Sequence, residues 1–200
     1  MYLTRLIPLL IFLLANDALG VEISITDELV ESEIGFYTQS EGGELITCGV
    51  EFSGIDSNLY YFTGSYGFIY FEDRGPVPIL KVKSIKLDLD GTRERKKIKK
   101  AWLKSTSAST LSGTWVAGNQ GESFLLVGGD VLEGSDLYYD IIDGEDVKIG
   151  YLHEGNSIDR VYRLKRFPDN GDKASIACIS EMTERFLNKQ LQQSPEDKTP

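Results

Sequence analysis

The stretch NLYYFTGSYGFIYFED, residues Asn58–Asp73, places seven aromatic rings within sixteen residues and carries the fold prediction. Between Tyr66 and Phe71, an extended chain would be apolar on both of its faces. A strand that is apolar on both faces belongs in the middle of a structure, between two packed layers. We therefore predict a central strand here, with most of its rings in the protein core.

The residues that precede this strand indicate a binding surface. Tyr60 and Tyr61 come just before turn residues, where aromatic side chains reach the rim of a sheet. A tyrosine combines an apolar ring with a polar hydroxyl, which suits contacts with sugar, peptide or protein partners. The pentapeptide SNLYY at residues 57–61 recurs as SDLYY at residues 135–139, which leaves open a duplicated, two-half architecture. The predicted binding tyrosines are Tyr60, Tyr61, Tyr138 and Tyr139.

Strand signals separated by turn residues recur from residue 44 to residue 167. In ELITCGVEFSG, residues 44–54, period-two alternation points Cys48 inward and Glu51 outward. Further candidate strands are LSGTWVA, ESFLLVGG, SDLYYDII, EDVKIGYL and DRVYRLKRF, with Asp143-Gly144 as a hairpin turn between two of them. Residues 21–44 fit a short strand, a short helix or a loop. The fold class predicted is mainly β, an antiparallel β-sandwich or barrel with a single C-terminal α-helix packed on the sheet.

The segment PILKVKSIKLDLDG, residues 78–91, contains a change in apolar parity. An extra residue is needed to keep both halves facing the core, so we expect a β-bulge or a break in the strand near Ser84. The dipeptide Asp90-Gly91 predicts a hairpin turn, which would set Asp88 opposite Arg93 on the return strand.

The apolar period changes to that of a helix over residues 173–191. Its apolar face comprises Ile176, Ile179, Met182, Phe186 and Leu187, with Cys178 at the margin. Two cysteines in an exported chain are expected to pair, and a Cys48–Cys178 disulfide would hold this helix on the sheet. The chain-entropy model gives such a crosslink about 5 kcal/mol of stabilisation. The alternative is two separate buried thiols.

The N-terminal segment MYLTRLIPLLIFLLANDALG has the order of a secretory signal peptide: one cation, an apolar run of about ten residues, and small residues before a cleavage point. A membrane-spanning helix needs about twenty apolar residues. We expect cleavage after Gly20, a secreted or periplasmic location, and a mature chain with no transmembrane anchor. Residues 21–190 then form a single β-rich domain, and residues 191–200 a disordered tail.

The charge of the chain restricts its partners. The net charge is −10, with a pI near 4.7, which disfavours nucleic acid as a partner. Against this background, TRERKKIKKAWLK at residues 92–104 carries seven cations and one anion. We predict an electrostatic partner site there, formed by Lys96, Lys97, Lys99 and Lys100. The competing interpretation is a solvated edge strand whose lysines prevent edge-to-edge pairing.

Motifs for catalysis and metal binding are weak. His153 is the single histidine, and no G-x-S-x-G sequence accompanies it. An acidic group surrounds the second predicted turn: Asp136, Asp140, Asp143, Glu145 and Asp146. Its spacing differs from that of a calcium-binding EF-hand loop. We therefore predict no catalytic residue, no metal and no cofactor.

These observations favour an exported, non-catalytic binding module whose partner is a protein or a component of the cell envelope. One alternative is a hydrolase acting on glycan through an unidentified pair of carboxylates, which would lie about 5 to 10 Å apart in a cleft. Another is a barrel that carries a lipid or small ligand in an internal cavity. The sequence leaves the oligomeric state open.

Overall fold

The computed structural model describes residues 24–26, 28–112, 114–128, 131–167 and 172–193. The predicted signal peptide lies outside these residues. The elements are β1 Ser24–Thr26, β2 Leu29–Glu41, β3 Glu44–Asp56, β4 Tyr60–Phe71, β5 Gly75–Leu87, β6 Arg93–Lys96, β7 Ile98–Lys104, β8 Trp115–Gln120, β9 Ser123–Gly128, α1 Val131–Ile142, β10 Lys148–His153, β11 Asp159–Arg163 and α2 Asp172–Gln193.

Two sheets hold the strands, and the chain is mainly β, as predicted. The large sheet has the order β2-β3-β4-β5-β9-β8, and β6 pairs with the C-terminal part of β5. The small sheet has the order β1-β11-β10-β7. Among the strands of the described residues, all pairings are antiparallel except that of β1 with β11. Strands β2 and β8 end the large sheet without pairing to each other, so it is not a closed barrel.

The even-numbered residues of β4 form the centre of the core. Phe62, Tyr66 and Phe68 have no exposed surface, and Tyr70 is 6% exposed. Their face of the large sheet is covered by the helices and by the small sheet: α1 contacts β4 and β5, α2 contacts β3 and β5, and β7 contacts β5 and β9. The odd-numbered face of β4 is less buried than predicted, since Phe71 is 39% exposed.

Helix α2 packs on the large sheet and is joined to it by the predicted disulfide. Cys48 on β3 and Cys178 on α2 are bonded across 130 residues. Where the burial of α2 is described, from residue 176 onward, its buried residues are Cys178, Ile179 and Met182, while two residues predicted for the apolar face, Ile176 and Leu187, are exposed. The helix continues to Gln193, into the predicted tail, whose remainder lies outside the described residues. Within the described part of the chain, neither helix is long and apolar enough to cross a membrane.

The segment SDLYYDII was predicted as a strand but lies in α1, so the prediction of a single helix is wrong. Its buried residues are Leu137, Tyr138, Ile141 and Ile142. They form two adjacent pairs, and corresponding members of the pairs are four residues apart, which is the spacing of one helix face. Gly144, predicted in a hairpin turn, follows the helix C-terminus with φ of 73°, and its N–H donates to the Ile141 carbonyl. Glycine favours this position because it adopts positive φ without strain.

Neither the β-bulge nor the break predicted near Ser84 occurs, since β5 runs unbroken from Gly75 to Leu87. β5 pairs with β4 without a register shift. Ser84 points inward and is buried, at a position where the alternation predicts an apolar residue. The Asp90-Gly91 turn forms, but with a shift of one residue: Leu87, and not Asp88, faces Arg93.

Candidate functional site

The two predicted tyrosines at the start of β4 lie on opposite faces of the sheet. Tyr60 points inward, where the guanidinium carbon of Arg160 lies 3.6 Å from its ring centroid and the Lys86 ammonium 4.6 Å. The His153 ring stacks on it at 5.6 Å. Such cation–π contacts stabilise the ring where it is. Tyr60 is therefore already engaged within the protein, whereas Tyr61 faces outward.

The surroundings of Tyr60 form a buried polar junction between the two sheets. The Asp56 carboxylate is fully buried and accepts hydrogen bonds from Arg160 Nη1 and the Tyr162 hydroxyl, both at 2.9 Å. It also accepts from the backbone N–H groups of Asn58 and Tyr60. Burial raises the pKa of Tyr162, so its hydroxyl keeps the proton that it donates to Asp56. These four hydrogen bonds offset the free-energy cost of removing the Asp56 carboxylate from water.

The single histidine lies in the same junction. His153 Nε2 is 3.0 Å from the Ser84 hydroxyl, and the two residues are 4% and 1% exposed. Burial, with Arg160 and Lys96 nearby, lowers the pKa of His153 to about 4, so the imidazole is neutral. Both side chains are buried between the sheets, and their contact joins β5 of the large sheet to β10 of the small one.

Tyr61 lies in a hollow on the outer face of the large sheet. Backbone pairing places Glu33, Ser53 and Thr63 in one row across β2, β3 and β4. The next row contains Gly35, Glu51 and Ser65 in the same order. The hollow has a volume of about 540 Å³ and is lined by Glu33, Ile34, Gly35, Glu51, Phe52, Ser53, Tyr61, Thr63, Gly64, Lys165 and Arg166. This volume falls within the range of small-molecule sites.

Two further hollows extend this site along the strands. One, of about 180 Å³, shares Glu33, Ser53 and Tyr61 with the first. The other, of about 260 Å³, shares Glu51 and has lining residues on β2, β3, β4, β5, β8 and β9. So small a space can touch strands this far apart only if the outer face is concave. The residues that line the three hollows span Tyr61 to Ile69 along β4, a distance of roughly 25 Å. The three hollows together are called the groove.

A pair of glycines lies in the floor of this groove. Gly49 and Gly67 face each other on β3 and β4, and Tyr37 faces Gly49 from β2. A Cβ atom on Gly67 would lie 2.1 Å from the Cys48 carbonyl oxygen, so neither strand has space for a side chain there. The Tyr37 hydroxyl lies beside Ser65, and burial raises the pKa of this tyrosine. Its ring therefore extends over the glycines toward β4.

The charges on the concave face are graded from one side to the other. Carboxylates lie on β2 and β3, at Glu31, Glu33 and Glu51, hydroxyl groups on β3 and β4, and lysines on β5. In the two rows, Thr63 faces Lys83 and Ser65 faces Lys81. The groove is thus rich in hydrogen-bond donors and acceptors. Its apolar surface includes Tyr37 and Tyr61 together with Ile55, Ile69, Ile79 and Leu125.

The four predicted lysines do not form one patch. Lys96 pairs with Glu94 at 2.5 Å, and Lys97 pairs with Glu154 at 2.7 Å. Lys99 is exposed and Lys100 half-buried on β7. The strands also separate them, because β6 belongs to the large sheet and β7 to the small one.

The remaining candidate residues are held within the fold. Tyr138 is fully buried and packs edge-to-face on Phe68 at 5.6 Å, and Tyr139 is half-buried beside it. One copy of the repeated pentapeptide is thus turn and strand, and the other is helix. In the acidic group, Asp140 accepts hydrogen bonds from Ser105 and Ser107. The described residues contain no group of three His, Cys, Asp or Glu side chains that could hold a metal ion.

Of the predicted binding residues, Tyr61 alone lines the groove. Sequence reasoning did not find Tyr37 and Glu33, because the segment that contains them had no clear period. Glu51 was placed on an outward face by its alternation, but its neighbours on β2 and β4 could not be deduced. Comparison with protein-family models, with curated proteins and with solved structures finds no match to this chain, so its function must be inferred from this geometry.

Proposed function

We propose that the protein is an exported, non-catalytic binding module that holds a linear oligosaccharide of the cell envelope in the concave groove. The observation that carries this proposal is the 540 Å³ hollow beside Tyr61, which opens on the outer face of the large sheet. The predicted signal peptide supports export.

The lining of the groove fits a polyhydroxylated ligand. Sugar hydroxyl groups both donate and accept hydrogen bonds, and the groove presents carboxylates that accept, ammonium groups that donate and hydroxyls that do both. The ring of Tyr61 offers an apolar surface to the C–H face of a sugar. The length of roughly 25 Å suits an extended chain of sugars more than a single one.

An extended peptide fits this groove less well. Peptides that bind sheets gain their affinity from main-chain hydrogen bonds along an exposed edge, with pockets for alternate side chains. The groove lies on a sheet face, where the backbone groups of β3 and β4 are already paired with neighbouring strands. A test of the proposal must therefore distinguish binding of an oligosaccharide from binding of an extended peptide.

Isothermal titration of the purified mature chain with β-linked oligomers of glucose and of N-acetylglucosamine tests the proposal. We expect saturable binding to at least one series, with affinity that increases with oligomer length until the groove is filled. Tyr61→Ala should weaken binding about tenfold, or about 1.4 kcal/mol, because it removes the stacking surface. Phe71→Ala, which removes an aromatic ring near the far end of the same strand, is the matched control and should leave the affinity unchanged.

Absence of binding to either series, or equal losses in Tyr61→Ala and Phe71→Ala, would contradict the proposal. Capture of extended peptides that compete with no sugar would point to a protein partner instead.

A glycan hydrolase is the second candidate function, and one observation favours it. Glu33 and Glu51 line the same hollow from adjacent strands, two residues out of register. Side chains in this diagonal relation have Cβ atoms roughly 7 Å apart, within the range of catalytic carboxylate pairs. Release of reducing ends from the oligomers, abolished in Glu33→Gln and Glu51→Gln, would establish the hydrolase. Binding without turnover is the result that we expect.

A further inference from the structure

A second surface, on the small sheet, carries cations in an arrangement that folding alone does not favour. The register of the small sheet sets Lys148 on β10 directly opposite Lys104 on β7 and Arg163 on β11. Residues that are directly opposite share a face of the sheet, with Cβ atoms about 5 Å apart, and like charges in such pairs are destabilising. These three residues are named the cationic row.

The cationic row is accessible and only partly neutralised. Lys104 and Arg163 are exposed, and Lys148 is half-buried. Arg163 forms an ion pair with Asp146 at 2.9 Å. Among the described residues, no carboxylate lies within ion-pair distance of Lys104 or Lys148. Three cations are thus neighbours on one sheet face, although the chain has a net charge of −10 and more acidic than basic residues.

We propose that the cationic row binds a linear, acidic polysaccharide that carries sulfate or phosphate groups. The row crosses three strands in single file over roughly 10 Å, so it matches charges that repeat along a chain. The ligand would relieve the repulsion between the three cations, and this charge complementarity is the driving force. The site is on the opposite sheet from the Tyr61 groove and does not depend on it.

Other polyanions fit the row less well. Stacking of nucleic-acid bases requires exposed aromatic rings, but Trp102, the neighbour of Lys104 on the same face, is buried with its indole N–H donating to Asp159. Docking on an anionic membrane usually adds apolar insertion. The large exposed apolar residues of the described chain do not lie on β7, β10 or β11.

Binding of the mature chain to immobilised dextran sulfate tests this site, with the paired variant Lys104→Gln/Lys148→Gln. We expect micromolar-range binding that weakens with salt and is reduced about tenfold in this variant. The matched control is Lys96→Gln/Lys97→Gln, which removes the same charge from lysines that already have carboxylate partners, and it should reduce binding less than about twofold.

The thermal midpoint of Lys104→Gln/Lys148→Gln should equal or exceed that of the wild type, since a repulsive contact is removed. Equal loss of binding in the two paired variants would show a general effect of charge and overturn the proposal. Binding to vesicles with anionic phospholipid that matches or exceeds binding to dextran sulfate would also overturn it, in favour of a membrane partner.

Discussion

Tyr60 and Tyr61 are neighbours in the chain, yet the two faces of β4 give them different roles. The face of Tyr60 continues through Phe62, Tyr66 and Phe68 into the core. The face of Tyr61 continues through Thr63 and Ser65 into the groove. The first face is fixed by packing, and the second is open to a ligand. High aromatic density therefore identifies β4 as central, but the partners on adjacent strands decide which rings are available.

The largest expected difference between the two faces is at Phe68 and Phe71. Phe68→Ala leaves a cavity beside Tyr138 and should destabilise the fold by about 3 to 5 kcal/mol. Phe71→Ala, on the outer face, should cost about 1 kcal/mol or less. Chemical denaturation with the disulfide intact measures both free energies of unfolding. Similar losses in the two variants would mean that the outer face is also packed.

Sequence reasoning identified the features that depend on local pattern. The alternation in ELITCGVEFSG predicted the inward direction of Cys48, and the change of period after residue 172 predicted α2. The disulfide itself was predicted from the presence of two cysteines in a chain expected to be exported, and these two patterns indicated which elements it joins. Sequence-based prediction failed where the hydrogen-bond partner of a side chain lies far away in the sequence. Ser84 broke the apolar parity because its partner is His153, 69 residues away.

The groove was less predictable than the core for a related reason. Glu33, Glu51 and Tyr61 come together only through the pairing of β2 with β3 and of β3 with β4. No local pattern relates them. The helix α1 was missed because SDLYYDII is rich in residues that favour strands, and packing of one face against β4 and β5 decided its conformation.

The buried face should also make stability depend on pH, through His153. The pKa is about 4 in the folded protein and 6.5 in the unfolded chain, so between these values the unfolded state binds more protons. Stability should fall as the pH is lowered through this range, by up to about 3 kcal/mol, and the contribution ends below about pH 4.

Denaturation curves at pH 7 and pH 4.5 measure this effect against His153→Gln, which cannot titrate in this range. The carboxylates affect both proteins alike, so the difference between them isolates the imidazole. An identical pH dependence in the two proteins would show that His153 is protonated without cost and that the junction is open to water.

The smallest expected difference in stability is between alanine variants of Tyr60 and Tyr61. Tyr60→Ala removes the ring that lies against Arg160 and His153, and it should cost about 2 kcal/mol. Tyr61→Ala should cost about 1 kcal/mol or less, because its ring faces the groove. Tyr60→Ala should therefore have the lower thermal midpoint and an unchanged affinity for oligosaccharides. Tyr61→Ala should have a thermal midpoint closer to that of the wild type and a reduced affinity. If Tyr61→Ala unfolds as readily as Tyr60→Ala, the outer ring is part of the core, and the groove loses its assignment as a binding site.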